Sequence, residues 1–169
     1  MQRNERFEAA TGQLDRVLDF FPRVESKAIF LFAIDTGLLG IIALNFRWGD
    51  VEECNIMLPV IIALGLIVAS LYCVYRCIFP NLNGASSSLA FFSVVAKKTE
   101  NAYIEEFLQQ SEDQQTHDVL NQVWCNSRIL DHKFQSIKNA FTLTALSLIP
   151  WFLFLIASAT VHGQLPILS

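Results

Sequence analysis

The sequence lacks the usual marks of catalysis. It has no glycine-rich phosphate loop, no HExxH helix, no GxSxG elbow and no paired CxxC, so the common signatures of nucleotide hydrolysis, metalloproteolysis, acyl transfer and dithiol redox work are missing. Its four cysteines, Cys54, Cys73, Cys77 and Cys125, have no histidine at zinc-ligand spacing and are expected to be free, apolar thiols. His117-Asp118 is a lone dyad without the further ligands that a metal phosphohydrolase needs, so no metal and no catalytic residue is expected. Charge is also scarce, at 17% of residues against 53% apolar. The net charge of −4 lacks the clustered Lys and Arg excess that binds a nucleic acid polymer. A small nucleotide needs only one or two cations and stays possible.

What is present is segmented. The mean hydropathy of +0.39 is high for a water-soluble domain of this size, and the apolar residues gather in three blocks. Residues 28–46 carry one charge, Asp35, and are bounded by Lys27 and by Arg47-Trp48. Residues 56–75 carry none, have Pro59 in their first turn and close on Tyr75-Arg76, an interfacial pairing. Residues 140–161 form the third block, with Pro150 predicting a kink that membrane helices tolerate. Each is close to the roughly 20 residues that cross a bilayer core. The first 27 residues carry ten charges, so no cleavable signal is expected there.

Lys and Arg cluster in residues 1–27 and 76–139, with one in the loop 47–55 and none in the tail 162–169. The positive-inside rule therefore puts the N-terminus and residues 76–139 in the cytoplasm, which three crossings allow. The fold expected is an all-α membrane protein, three transmembrane helices extended into a cytoplasmic helical bundle. Leu14, Val17, Leu18, Phe21 and Val24 form an amphipathic approach to the first span, with Pro22 as a kink point. After the breaker run 80–84, serines 86–88 are expected to cap one helix whose face is Leu89, Phe92, Ala96, Tyr103 and Phe107. Thr116, Leu120, Val123, Ser127, Leu130, Phe134, Ile137 and Phe141 recur at steps of four and three, a heptad-like seam. That seam runs into the third span, predicting one helix from about Gln115 to His162, about 70 Å long.

Asp35 is the most informative residue, because a carboxylate about seven residues into a span costs about 2.5–3.5 kcal/mol at the bilayer centre. It is expected to avoid lipid, facing either a water-filled or oligomeric interior or a hydrogen-bonding neighbour such as Thr142 or Thr144. Gly37 and Gly40 beside it permit close helix approach. In the cytoplasmic segment Lys97, Lys98, Asn101, Tyr103, Gln122, Asn126, Arg128 and Lys133 supply cations, amides and a ring, a set suited to a small phosphorylated ligand and equally to a solvated helix surface.

One family shares this order of motifs. Glu25-Ser26-Lys27-Ala28 entering the first span, Pro80 closing the second, Leu89-Ala90-Phe91-Phe92, Tyr103, Leu120-Asn121-Gln122-Val123 and Lys133-Phe134 together resemble the Pycsar transmembrane effectors of bacterial antiphage defence, from about Leu14 to Ala159. The resemblance implies a partner pyrimidine nucleotidyl cyclase making cyclic CMP or cyclic UMP, which the effector senses through its cytoplasmic part before impairing the inner membrane in abortive infection. Lys27, Phe92, Tyr103, Gln122 and Lys133 fall at positions that match the family pattern, and Asn126 joins them as a candidate ligand contact. An acid at Asp35 departs from the amide equally expected there. The partners implied are the lipid bilayer, the cyclic nucleotide and further copies of the chain, since three spans are too few to enclose an aqueous path. The competing reading is a constitutive channel or transporter subunit, motivated by Asp35 and the kinked third span. A scaffold recruiting partners through the heptad-like seam is a third.

Overall fold

Prolines and capping side chains set the helix boundaries in the computed structural model, which describes residues 3–79 and 92–162. Helix α1 spans Arg3–Leu18 and α2 spans Phe20–Asn45. The break at Asp19 follows from Pro22, which has no N–H for the Leu18 carbonyl but is harmless in the first turn of α2. A 3₁₀ turn, Trp48–Glu52, leads to α3 over Cys54–Ile78, so Pro59 lies in the second turn of its helix rather than the first. Next come α4, Phe92–Val95, and α5, Glu100–Gln109. The single helix expected across Phe92 to Phe107 is therefore two. Thr99 divides them, its hydroxyl accepting the Ala102 N–H at 3.4 Å and capping α5. Serines 86–88 and Leu89 lie outside the described residues.

Helix α6 runs unbroken from Glu112 to His162, 51 residues or about 76 Å. A capping box starts it: the Ser111 N–H donates to Gln114 Oε1 at 2.8 Å, and the Gln114 N–H donates to Ser111 Oγ at 3.3 Å. Pro150 is taken within the helix. No strand occurs among the described residues.

The chain divides into two compact units. One contains residues 1–23 and 80–132, the other residues 24–79 and 133–169. Three helices, each inside or reaching into the second unit, are long and apolar enough to cross a membrane. Residues 24–27, 76–79 and 133–139, expected with the cytoplasmic segment, group with this membrane unit.

In the membrane unit the buried helix positions, Pro150 apart, follow one rule. On α2 they are Val24, Ala28, Leu31, Asp35, Leu38, Ile42 and Asn45; on α3 they are Ile56, Val60, Ala63, Ile67, Ser70, Val74 and Cys77. Both series step by four and three throughout, the spacing of coiled-coil packing. Helix α6 continues it with Lys133, Ile137, Ala140, Thr144, Ser147, Trp151, Phe154 and Ser158. Large apolar side chains such as Phe30, Ile61, Phe141, Ile149 and Ile156 stay exposed on the outside, as a lipid-facing surface requires.

This packing corrects the expected seam. Leu120, Phe134 and Phe141 are exposed, and of that stripe only Ile137 is buried. The buried stripe of α6 lies about one residue further round and carries Gln122, Lys133 and Thr144. Lipid is as apolar as Leu, so inside a bilayer small and polar residues, not bulky ones, mark the face that meets another helix. In the other unit, Ala10 and Val17 of α1 and Gln122 and Cys125 of α6 are buried, whereas Leu18, expected on the apolar face, is exposed.

Candidate functional site

A polar layer joins the three helices of the membrane unit near their middle. Asp35 of α2 is completely buried. The Thr144 hydroxyl donates to its Oδ1 at 2.9 Å, and the Ser70 hydroxyl meets Thr144 Oγ1 at 2.9 Å and the Ala140 carbonyl at 3.1 Å. Of the two threonines that sequence offered to Asp35, Thr144 makes the contact, while Thr142 bonds the Lys138 carbonyl on its own helix. Asp35 Oδ2 has no hydrogen-bond partner. Ser70 was not foreseen, because a single serine in an apolar run gives no signal until its neighbours are known.

On one side of this layer, Lys133 is buried and pairs with Glu25 Oε1 at 2.7 Å, while the carboxylate itself is half-exposed. On the other side, Trp151 Nε1 donates to the Leu38 carbonyl at 3.3 Å, within an apolar cluster that includes Ile42, Ile67 and Phe154. Beyond it, Ser158 donates to the Asn45 carbonyl at 3.4 Å. The Asn45 side chain donates to Ile41 and leaves its own Oδ1 without a partner. Last comes Asp50, buried in the 3₁₀ turn, whose Oδ2 accepts the Arg47 N–H at 2.8 Å and whose Oδ1 lies 2.7 Å from His162 Nε2. Sequence reading missed this pair, whose members stand 112 residues apart.

The candidate ligand residues divide between the units. Tyr103, Gln122 and Asn126 belong to the first. Gln122 is buried with Nε2 unpartnered, and one turn later the Asn126 amide donates to the Gln122 carbonyl at 2.9 Å. Tyr103 is half-buried beside Phe107, ring centroids 6.0 Å apart. Lys98 pairs with Glu106, and Arg128 lies over the Trp124 ring at 5.1 Å. Lys27, exposed, and Lys133 belong to the membrane unit. The side chain of Phe92 lies outside the described residues.

The first unit also holds an open groove of about 460 Å³, whose lining includes Arg6, Gln13, Thr116 and His117. Asp118, next to His117, accepts from the Gln110 amide at 2.9 Å. Among the described residues no three His, Cys, Asp or Glu side chains converge as metal ligands would. The geometry thus offers polar recognition in one unit and, in the other, polar groups enclosed by a lipid-facing shell.

A family model described as the Pycsar effector protein domain matches residues 9–160. No curated protein and no solved structure matches the chain.

Proposed function

The chain belongs to the Pycsar effector family, a family of antiphage defence effectors and not of known enzymes, and from that premise we propose that it is a cyclic-pyrimidine-nucleotide-gated effector that impairs the bacterial inner membrane. The observation that carries the reading is the extent of the match, which takes in both units of the chain. The ligand is cyclic CMP or cyclic UMP, supplied by a partner pyrimidine nucleotidyl cyclase. Phe92, Tyr103, Gln122 and Asn126 are its proposed contacts in the first unit. An aromatic ring suits base stacking, and the unpartnered amide donor of Gln122 suits a pyrimidine carbonyl.

The N-terminus faces the cytoplasm, by the distribution of Lys and Arg. Binding shifts the bundle between two arrangements, and it does so only by the ligand's differential affinity for them. Helix α6 contributes residues to both units without a break, which gives that shift a covalent route. The active form is a homo-oligomer, because the interior of one three-helix bundle is filled with side chains.

Calorimetry on detergent-solubilised protein tests the ligand. Cyclic CMP or cyclic UMP should bind about tenfold or more tighter than cyclic AMP, a gap of 1.4 kcal/mol or more. The reading fails if neither pyrimidine nucleotide binds. In liposomes the same nucleotide should trigger leak, whereas a steady leak without it marks a constitutive channel, the reading that Asp35 motivates.

A further inference from the structure

The inward stripe of the membrane unit does more than hold helices together. Asp35, Asn45, Ser70, Thr144, Ser147 and Ser158 are all buried at heptad positions, while the outer surface is apolar. Hydrogen bonds between helices account for the hydroxyls of Ser70, Thr144 and Ser158, and Ser147 donates to the Thr144 carbonyl on its own helix. These bonds do not account for Asp35. The fold uses only its Oδ1, as acceptor of one hydroxyl proton, and an asparagine oxygen would serve that contact without a charge. The second carboxyl oxygen is enclosed and unpartnered, so the side chain holds an oxygen donor beyond what packing uses.

We propose that this stripe is the closed form of a wall that several copies of the chain together turn toward a cation path, with Asp35 as its binding site for a monovalent cation. Asp35 Oδ2, the hydroxyls of Ser70 and Thr144 and the Ala140 carbonyl are hard oxygens on three helices, the donor type that replaces the hydration shell of an alkali cation. The cluster of Ile42, Ile67, Trp151 and Phe154 is the plug, since an apolar constriction excludes water until its walls separate. Glu25 and Asp50 put a carboxylate toward each end of the bundle, outside these layers. The trigger rests on the nucleotide-gated reading given above; the path itself does not.

The full chain in planar bilayers under a KCl gradient, with cyclic CMP and cyclic UMP as triggers, separates the two. The nucleotide-triggered current should prefer K⁺ over Cl⁻ by about tenfold or more, as acid-lined pores do. Asp35→Asn should bring that ratio close to unity, and Asp35→Glu should keep it. Trp151→Ala removes the plug and should leak with no nucleotide, at the wild-type cation preference. A current that carries K⁺, Cl⁻ and calcein alike overturns the path, as does a folded Asp35→Asn with the wild-type ratio. Silence with nucleotide but a cation-selective Trp151→Ala leak sinks the trigger and leaves the path standing. No leak, or an unselective one, from Trp151→Ala removes the path.

Discussion

Replacing Thr144 by valine keeps the shape of the side chain and removes its hydroxyl from the centre of the polar layer. Two contacts disappear, to Asp35 Oδ1 and to Ser70 Oγ, both at 2.9 Å. Ser70 keeps the Ala140 carbonyl, but Asp35, already lacking a partner for Oδ2, is left with neither oxygen bonded at zero exposure. An interhelical hydrogen bond in a membrane averages about 0.6 kcal/mol, and a buried polar group stripped of its partner costs about 1–3 kcal/mol more. Thr144→Val should therefore cost about 2 kcal/mol. Ser70→Ala should cost only about 0.6 kcal/mol, because Thr144 still donates to Asp35 and the Ala140 carbonyl keeps its place in the helix. Adding Asp35→Leu to Thr144→Val should recover most of the loss, a coupling of about 1 kcal/mol or more. Unfolding in dodecylmaltoside–SDS mixed micelles, followed by circular dichroism, measures these three variants and Asp35→Leu alone, which closes the cycle. Equal costs for Ser70→Ala and Thr144→Val, or no recovery in the double variant, would refute the reasoning.

Three further expectations concern other parts of the molecule. Ser111→Ala removes one half of the capping box that starts α6 and should cost about 1 kcal/mol locally, read as roughly fivefold faster amide exchange over the first turn. Gln122→Leu should weaken binding of the pyrimidine nucleotide about tenfold while leaving the melting temperature unchanged or higher, since it deletes an unpaired buried donor. A fall in stability at unchanged affinity would make Gln122 a packing residue alone. Cys54 is exposed at the start of α3, so an impermeant maleimide should label it in right-side-out vesicles and spare it in inside-out ones. The reverse pattern would invert the proposed orientation.

Much of the fold was legible because a bilayer imposes length. The three apolar blocks, Phe46 apart, lie within helices long enough to cross a membrane, and the continuity of α6 follows from the absence of proline and glycine between Ser111 and Pro150. Asp35 was legible because one charge in an apolar block must find a partner. The interior face of α6 was not. Its apolar periodicity within the membrane unit points at Phe134 and Phe141, and in lipid that periodicity marks the outside as readily as the inside. Two capping signals were present in plain sequence: Thr99 ahead of Glu100 divides α4 from α5, and Ser111 with Gln114 begins α6. The long-range pairs, Glu25 with Lys133 and Asp50 with His162, come from two different helices or a turn and a helix, and no local pattern contains them.

The inward polar stripe also bears on dosage. On the proposed function, a cell tolerates its own effector only while the copies per cell multiplied by the fraction open stays below a toxic threshold. Doubling the number of copies then equals weakening closure by RT ln 2, about 0.4 kcal/mol, which is less than one average hydrogen bond between membrane helices. To turn a population 99:1 shut into one 99:1 open, the nucleotide must favour the open form by about 5.5 kcal/mol. The hydroxyls facing Asp35 and Asn45 and the expression level of the gene are therefore adjustable against each other: a strain that makes more of the protein needs a tighter interior to survive uninfected.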